Sequence, residues 1–506
     1  MADRYNASEL LDRNLAAGRA DKVAVRWAGG SVTYRELHGL TCATGLRFRE
    51  LGVRREERVL LPLDDSPAMM AAFWGAIRIG AVPVPVNPLL QRSEDYDHYF
   101  GDSLARVVVV DAMTAEKVGA AAGRAAEPVQ VLDAAGILAL PPAEIDPADT
   151  SRDDVGFWLY SSGSTGLPKG VVHLQHDIEF TCETFARQVL GIAEADITFS
   201  TTKMFHAYGL GNSLSFPCWA GATSILLSGR PTPQLVLETI DTHRPTLFFS
   251  APTLYNAILN QDGARERDLS SIRLCVAAAE ALPAEVWRRW KEAFGLTIID
   301  GIGSTELLHI YCSNIPADVR PGSSGKPVPG YEVKILDLDG NPLPEGEAGD
   351  MYVKGDSALA FYWRQHERTK RSVLGEWFFS GDRYRRDGDG FYWYEGRSDD
   401  MIKVSGLWIS PIEIEGVLLE HPGVGESAVV GVEVDGFMKI KAFVVVRGEA
   451  SPSLAAELQE HCKARLQRYQ YPHLIEFVAD LPKTLTGKIQ RYKLREADVP
   501  DPSSQA

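Results

Sequence analysis

The sequence predicts an α/β protein with a large layered N-terminal domain, a β sub-domain at its end and a small C-terminal α+β domain. Three observations predict it. Short β-branched runs alternate with segments of helical period through the first part of the chain. The pattern changes to apolar–polar alternation after about Ser323 and changes again near Arg397. At 506 residues, the chain is also too long for one hydrophobic core.

The runs at 107–110, 246–250 and 272–276 are rich in Val, Ile, Leu and Phe and read as strands. A helix is expected over 283–294. Val286, Trp287, Trp290 and Phe294 fall on one face, Arg288, Arg289 and Glu292 turn away, and Pro283 suits the first turn. Residues 331–336 alternate, Asp339-Gly340 marks a turn, and 350–353 reads as another strand, so this stretch is expected to be antiparallel. Beyond Arg397, 412–420 and 454–466 read as helices, and 427–432 and 439–446 as strands joined across Asp435-Gly436. The tail, DVPDPSSQA, is polar and Pro-containing and is expected to be disordered. There are no internal repeats.

Hydrophobic residues make up 45% of the chain and charged residues 24%, ordinary values for a globular protein. The formal net charge of -16 argues against general nucleic-acid binding. An anionic ligand would need a local cationic or amide-rich patch inside this repelling field. The six cysteines, Cys42, Cys182, Cys218, Cys275, Cys312 and Cys462, form no CxxC pair. A disulfide framework or structural zinc is therefore not expected, and the thiols should be reduced and mostly buried. The N-terminus has no apolar signal-peptide region. The long apolar stretch at 68–90 contains Arg78, Pro83, Pro85 and Pro88, so it is a poor membrane span. The expected location is the cytoplasm.

The chemistry begins at 160–170, YSSGSTGLPKG. Three glycines and a run of hydroxyls leave backbone amides free to wrap an anion, and Lys169 adds a point charge. A Walker loop cannot be laid on it, because Gly170 follows the lysine where Ser or Thr should stand. This segment resembles the phosphate-binding signature of the adenylate-forming superfamily, which includes acyl- and aryl-CoA synthetases, luciferase and peptide-synthetase adenylation domains. Further matching segments follow in the family's order over nearly the whole chain. They are DGIGSTELLHIY from residue 300, FSGDR from 379, YEGRSDDMIKVSGLWISPIEIE from 394 and LPKTLTGKIQR from 481.

The resemblance implies the fold of that superfamily, with an N-terminal adenylation domain over 1–398, its β sub-domain at about 324–396, and a mobile C-terminal domain over 399–506. It implies ATP, Mg²⁺ and coenzyme A as cofactor and substrates. Ser161, Ser162, Gly163, Ser164, Thr165, Gly166 and Lys169 would cradle phosphate, and Asp300 would join the nucleotide site. Thr305 would hydrogen-bond a phosphate oxygen, and Glu306 would help hold Mg²⁺, whose charge offsets two anions brought together. Asp382 and Arg397 would contact the ribose. Lys488 would reach both carboxylate and α-phosphate and orient the attack. Asp399 would be the pivot about which the small domain rotates between half-reactions, and Gly406 would line the pantetheine tunnel.

The acyl pocket is expected in FHAYGLGN at 205–212. Amino-acid-activating members usually carry an aspartate after this phenylalanine. His206 stands there instead, which argues against a substrate ammonium. Ala207, Tyr208, Gly303, His309 and Ile310 match acyl-pocket positions of benzoate-CoA ligases, and small residues beside Tyr208 and Ile310 suit a flat apolar ring. One departure stands at 276–280, VAAAE, where Ala279 replaces the family's usual glycine, and the added methyl could narrow the pocket.

The expected reaction is adenylation of an aromatic carboxylate followed by thioester formation with coenzyme A, releasing AMP and pyrophosphate. Its partners are small molecules, with no nucleic acid and no membrane, and a second copy of the chain is a candidate partner. Two alternatives stay open: an enzyme that loads a carrier-protein thiol, and a non-catalytic acyl or nucleotide sensor on the same fold.

Overall fold

The structure, a computed structural model, describes residues 4–161, 167–398, 401–404, 407–434, 437–467, 470–483 and 489–497. The expected turn at Asp435-Gly436 and the tail from Asp498 lie outside them.

A nine-stranded sheet organises the first part of the chain. Its strands run in the order Lys326–Pro327, Ile310–Ser313, Ile298–Gly303, Leu274–Ala277, Leu247–Ser250, Ile197–Ser200, Thr223–Ile225, Val23–Trp27 and Gly30–Thr33. Pairing is parallel from Ile298–Gly303 through to Val23–Trp27 and antiparallel at both ends. A second, all-parallel sheet joins Val82–Pro85, Arg58–Leu61, Val107–Val110 and Gln130–Asp133. The Val107–Val110 strand is buried throughout, as a parallel strand covered on both faces must be. A small antiparallel sheet, Val155–Ser161, Lys169–Leu174 and Phe361–Tyr362, carries the flanks of the phosphate loop.

The expected strands at 246–250 and 272–276 are Leu247–Ser250 and Leu274–Ala277. The helix after them is Ala284–Phe294. Pro283 is its N-cap rather than a first-turn residue, with an extended ψ of 135°. Val286 and Trp290 are buried. Trp287 stays near the surface and donates its indole N–H to the carbonyl of Ile298 at 2.8 Å.

After Ser323 the structure turns antiparallel. Glu332–Leu336, Ala348–Lys354, Trp377–Arg386, Val373–Leu374 and Tyr392–Arg397 form one sheet. The last part has its own core of Ile402, Ile409, Ile414, Leu418, Val429, Ile440 and Leu458. There Val424–Val434 and Phe437–Val446 pair antiparallel, and Leu474–Phe477 adds in parallel. Helices Pro411–Leu419 and Pro452–Lys463 each start one to two residues earlier than hydrophobic period alone suggests. The reason is local: Ser410 and Ser451 cap them through their hydroxyls, and proline occupies the first position.

All six cysteines are buried thiols. Among the described residues, no helix is long and apolar enough to cross a membrane.

Candidate active site

The site lies where the parallel strands of the large sheet end, the usual ligand position in open α/β sheets. Strand Ile298–Gly303 delivers Asp300 and Gly303 and turns into a short 3₁₀ segment, Thr305–Leu307. Ser304 caps that segment by accepting the Leu307 N–H at 3.2 Å. Leu308, at φ 65°, sends the chain back along Ile310–Ser313. Gly303 is required here, because a Cβ would lie 2.6 Å from the carbonyl oxygen of His309.

Glu306 is buried and sits at the meeting point of two sheets. Its Oε1 receives the Tyr362 hydroxyl at 2.9 Å, the Ser161 hydroxyl at 3.3 Å and the Lys169 ammonium at 3.1 Å. Burial alone would raise its pKa, but the Lys169 charge and the Tyr362 hydrogen bond outweigh it and hold the carboxyl below its ordinary value. All three donors converge on Oε1. Among the described residues, no side chain donates to Oε2, which remains able to meet a cation. Lys169 also lies over the Tyr362 ring, 4.5 Å from its centroid. Thr305 is held by its carbonyl, which meets His173 Nε2 at 2.8 Å while His173 Nδ1 faces Asp177 at 2.7 Å. Tyr362, His173 and Asp177 were not singled out from sequence. Tyr362 reaches the site because strand Phe361–Tyr362 pairs with Lys169–Leu174, a long-range pairing with no local motif.

Asp382 and Arg397 face each other across the hairpin of Trp377–Arg386 and Tyr392–Arg397, with Nη1 to Oδ1 at 3.2 Å. Gly381, at φ 73°, lets the guanidinium pass, since a Cβ would come within 2.9 Å of Nη2. The Tyr311 hydroxyl is buried without a hydrogen-bond partner among the described residues, and its surroundings include Asp382, Arg397 and Glu306. Asp300 is buried too. One oxygen accepts the Leu282 N–H at 3.4 Å and the other has no partner among the described residues, and burial holds its carboxyl well above the usual range.

The proposed acyl wall is aromatic and uncharged. Tyr208 donates its hydroxyl to the carbonyl of Val276 at 3.0 Å. His309 packs among Phe216, Phe185 and Tyr208 at ring-centroid distances of 4.6, 5.0 and 5.5 Å, and its Nε2 meets Asn212 Oδ1 at 3.3 Å. Burial pushes the His309 imidazole down to about 3 and the His206 imidazole to about 4, so both are neutral at pH 7. The His206 ring lies 4.1 Å from that of Phe205, and its Nε2 is buried without a partner among the described residues. Ala207 and Ile310 are buried. Ala279 follows strand Leu274–Ala277 and is exposed, with φ 77°. A left-handed conformation favours glycine, so the alanine here carries a backbone cost as well as a methyl.

Ser162, Gly163, Ser164, Thr165, Gly166, Asp399, Gly406 and Lys488 lie outside the described residues. Among the described residues, no group of three or more His, Cys, Asp or Glu gathers to hold a metal ion. A cation at Glu306 would therefore need oxygen ligands from a bound phosphate or water.

Comparison with known proteins gives a consistent picture. The family model for AMP-binding enzymes matches residues 12–363, and that for the AMP-binding enzyme C-terminal domain matches 413–488. The chain is 46% identical to a benzoate–CoA ligase of Thauera aromatica, covering 98% of this chain and 96% of that one. It is 42% identical to a 4-hydroxybenzoate–CoA/benzoate–CoA ligase of Rhodopseudomonas palustris, covering 97% and 94%. Among solved structures, a benzoate CoA ligase from Burkholderia xenovorans LB400 matches with TM-score 0.91 and 43% identity over 97% of this chain and 100% of that one. The anthranilate CoA ligase AuaEII, in complex with anthranoyl-AMP, matches with TM-score 0.94 and 40% identity over 98% and 97%.

Proposed function

The chain belongs to the AMP-binding enzyme family, and from that premise we propose that it is an AMP-forming aryl–CoA ligase of the benzoate–CoA ligase type. It has the adenylate-forming fold, and its substrates are an aromatic carboxylate, ATP and coenzyme A. In the first half-reaction a carboxylate oxygen bonds to the α-phosphorus of ATP, and pyrophosphate leaves. In the second the thiolate sulfur of coenzyme A bonds to the acyl carbon, and AMP leaves. The observation that carries the substrate class is the uncharged ring cluster of Tyr208, Phe185, Phe216 and His309 beside a neutral His206. Such a wall accepts a flat apolar ring and leaves a substrate ammonium without a counter-ion.

The site roles are our reading. Lys169, Ser161 and the loop 162–166 hold the phosphates of ATP, supported by the charge of Lys169 and the amide-rich sequence of the loop. Asp382 accepts the ribose hydroxyls, and Arg397 keeps its carboxylate oriented, supported by their 3.2 Å pairing. Asp300 and Tyr311 offer buried polar atoms to the nucleotide. Mg²⁺ fits Glu306 through the Oε2 that the three donors leave open, and when bound it neutralises phosphate charge. Thr305, fixed by His173, donates its hydroxyl to the α-phosphate. Lys488 brings an ammonium to the same phosphate and to the acyl carboxylate. The chain divides at 1–398 and 399–506, Asp399 is the pivot, and Gly406 lines the coenzyme A tunnel. Family resemblance supports these last assignments. The cytosol is the proposed compartment, supported by six buried thiols.

Pyrophosphate release from ATP in the presence of coenzyme A, with benzoate, phenylalanine or a long-chain fatty acid, tests the substrate class. Benzoate should give the highest kcat/KM. A preference for the fatty acid or the amino acid would overturn the aryl assignment.

A further inference from the structure

A buried charged group outside the catalytic motifs reaches the acyl wall from behind. Two loops meet there, one after strand Arg58–Leu61 of the all-parallel sheet and one after strand Ile197–Ser200 of the large sheet. From the first comes the pair Asp64-Asp65, just before the helix Pro67–Arg78. From the second comes the turn Lys203-Met204-Phe205-His206, which opens the acyl wall. The two loops clamp together. Lys203 Nζ meets Asp64 Oδ1 at 2.8 Å and also donates to the carbonyl of Leu227. Asp64 Oδ2 accepts the Gly229 N–H. Asp65 Oδ1 accepts the Met204 N–H at 2.9 Å, and this is the one hydrogen bond its carboxylate accepts among the described residues. Asp64, Asp65 and Lys203 are all at least nine-tenths buried, and Asp65 is 2% exposed.

A buried anion with a single hydrogen bond is costly, and a positively placed lysine already answers to its neighbour. Nothing about strand ends or helix capping needs Asp65, since Ser66 caps the following helix by accepting the Met69 N–H at 3.2 Å. The turn that Asp65 grips is tight. The His206 N–H donates to the Lys203 carbonyl at 3.0 Å, and at Gly209 a Cβ would lie 2.1 Å from that same carbonyl oxygen. There is no slack by which Met204 could shift without carrying Phe205 and His206 with it.

We propose that Asp65 is a positioning residue for the aromatic-acid pocket, its carboxylate fixing Met204 and through it the Phe205–His206 wall. This rests on the reading that 205–208 lines the acyl site. The charged groups facing Asp65 are Lys203 across the turn and Asp64 beside it. Burial pushes the Asp65 carboxyl up to about 6, against the pull of Lys203 and the Met204 amide. On protonation it becomes a weaker acceptor, so the clamp loosens as pH falls through that value.

The test is steady-state pyrophosphate release by the full chain with benzoate, ATP and saturating coenzyme A. Asp65→Ala should raise KM for benzoate by about tenfold or more, as for a pocket wall displaced by a fraction of an ångström, with KM for ATP within about twofold of wild type. Asp65→Asn, which keeps an acceptor of the same shape, should restore most of the loss at pH 8. The wild type is expected to show a rise in benzoate KM between pH 7 and about 5.5, and Asp65→Asn should remove it. Equal shifts in both KM values, or the same pH profile in wild type and Asp65→Asn, would overturn the proposal. If the alanine variant does not fold, the asparagine pH comparison still decides. A wild type inactive on benzoate would instead count against the acyl-site reading.

Discussion

Ala279→Gly isolates one methyl on one strained residue. Ala279 sits at φ 77°, where a side chain crowds the following carbonyl at a cost of about 1–2 kcal/mol. Glycine removes that cost but gives back about 0.4–1 kcal/mol through the freer unfolded chain. The exposed position brings no loss of packing, so the variant should be more stable by roughly 0.5–1 kcal/mol. A denaturant titration reads this as a midpoint shift at unchanged slope. The second consequence falls on selectivity. The strand before Ala279 ends at Ala277, one residue past Val276, whose carbonyl anchors the Tyr208 hydroxyl. A methyl at the mouth of that pocket should discriminate against bulky ring substituents by roughly 10- to 200-fold in kcat/KM, and its removal should narrow that gap. The assay is kcat/KM for benzoate and ring-substituted benzoates in both proteins. A destabilised variant would refute the strain argument. An unchanged substrate profile would refute the placement of Ala279 on the pocket wall.

Lys169→Met should leave the Glu306 carboxylate buried beside Tyr362 without its counter-charge. Because the folded-state pKa of Glu306 is depressed, its contribution to stability is present above the unfolded value and is lost as pH falls through the folded one. Without Lys169 the folded pKa rises and that contribution is lost. In parallel pH melts the variant should therefore be less stable than the wild type at neutral pH, and the two should converge as pH falls and Glu306 is protonated; a stability difference independent of pH would show that the pair is not coupled. Lys488→Ala should lose pyrophosphate release by on the order of a hundredfold or more, as for other lost electrostatic groups, while still converting supplied benzoyl-AMP and coenzyme A to thioester. Equal loss of both steps contradicts its role. Asp399→Pro should keep adenylation and lose thioester formation, because proline fixes φ at the pivot. Normal thioester rates would place the pivot elsewhere.

The alternation of elements was legible because buried parallel strands such as Val107–Val110 and helices such as Ala284–Phe294 write their environment into hydrophobic period. Helix starts were less so. Ser410-Pro411 and Ser451-Pro452 are polar or unpatterned, and their signal is capping chemistry rather than period. Lys169 and Glu306 each stand in a recognisable motif, but their ion pair depends on two sheets meeting, which no local pattern encodes. Tyr362, His173 and Asp65 belong to no motif of the chemistry, and Tyr311 only closes the segment DGIGSTELLHIY, which assigns it no role. Each gains its place from long-range pairing or burial, and in one sequence each reads as an ordinary core or turn residue. Ala279 is the converse case. Its departure from the family pattern was visible, but its φ of 77° was not, since a single alanine does not announce a left-handed backbone.

One chain joins an aromatic acid to coenzyme A through an adenylate. The most direct measurement is a time course with ATP, Mg²⁺ and benzoate, with and without coenzyme A, in which AMP, pyrophosphate and thioester are quantified together. The account predicts pyrophosphate at up to about one equivalent of enzyme without coenzyme A, and multiple turnovers with AMP and benzoyl-CoA in equal amounts once it is added. Sustained turnover to AMP without any thioester in the presence of coenzyme A, or no pyrophosphate at all, would contradict it.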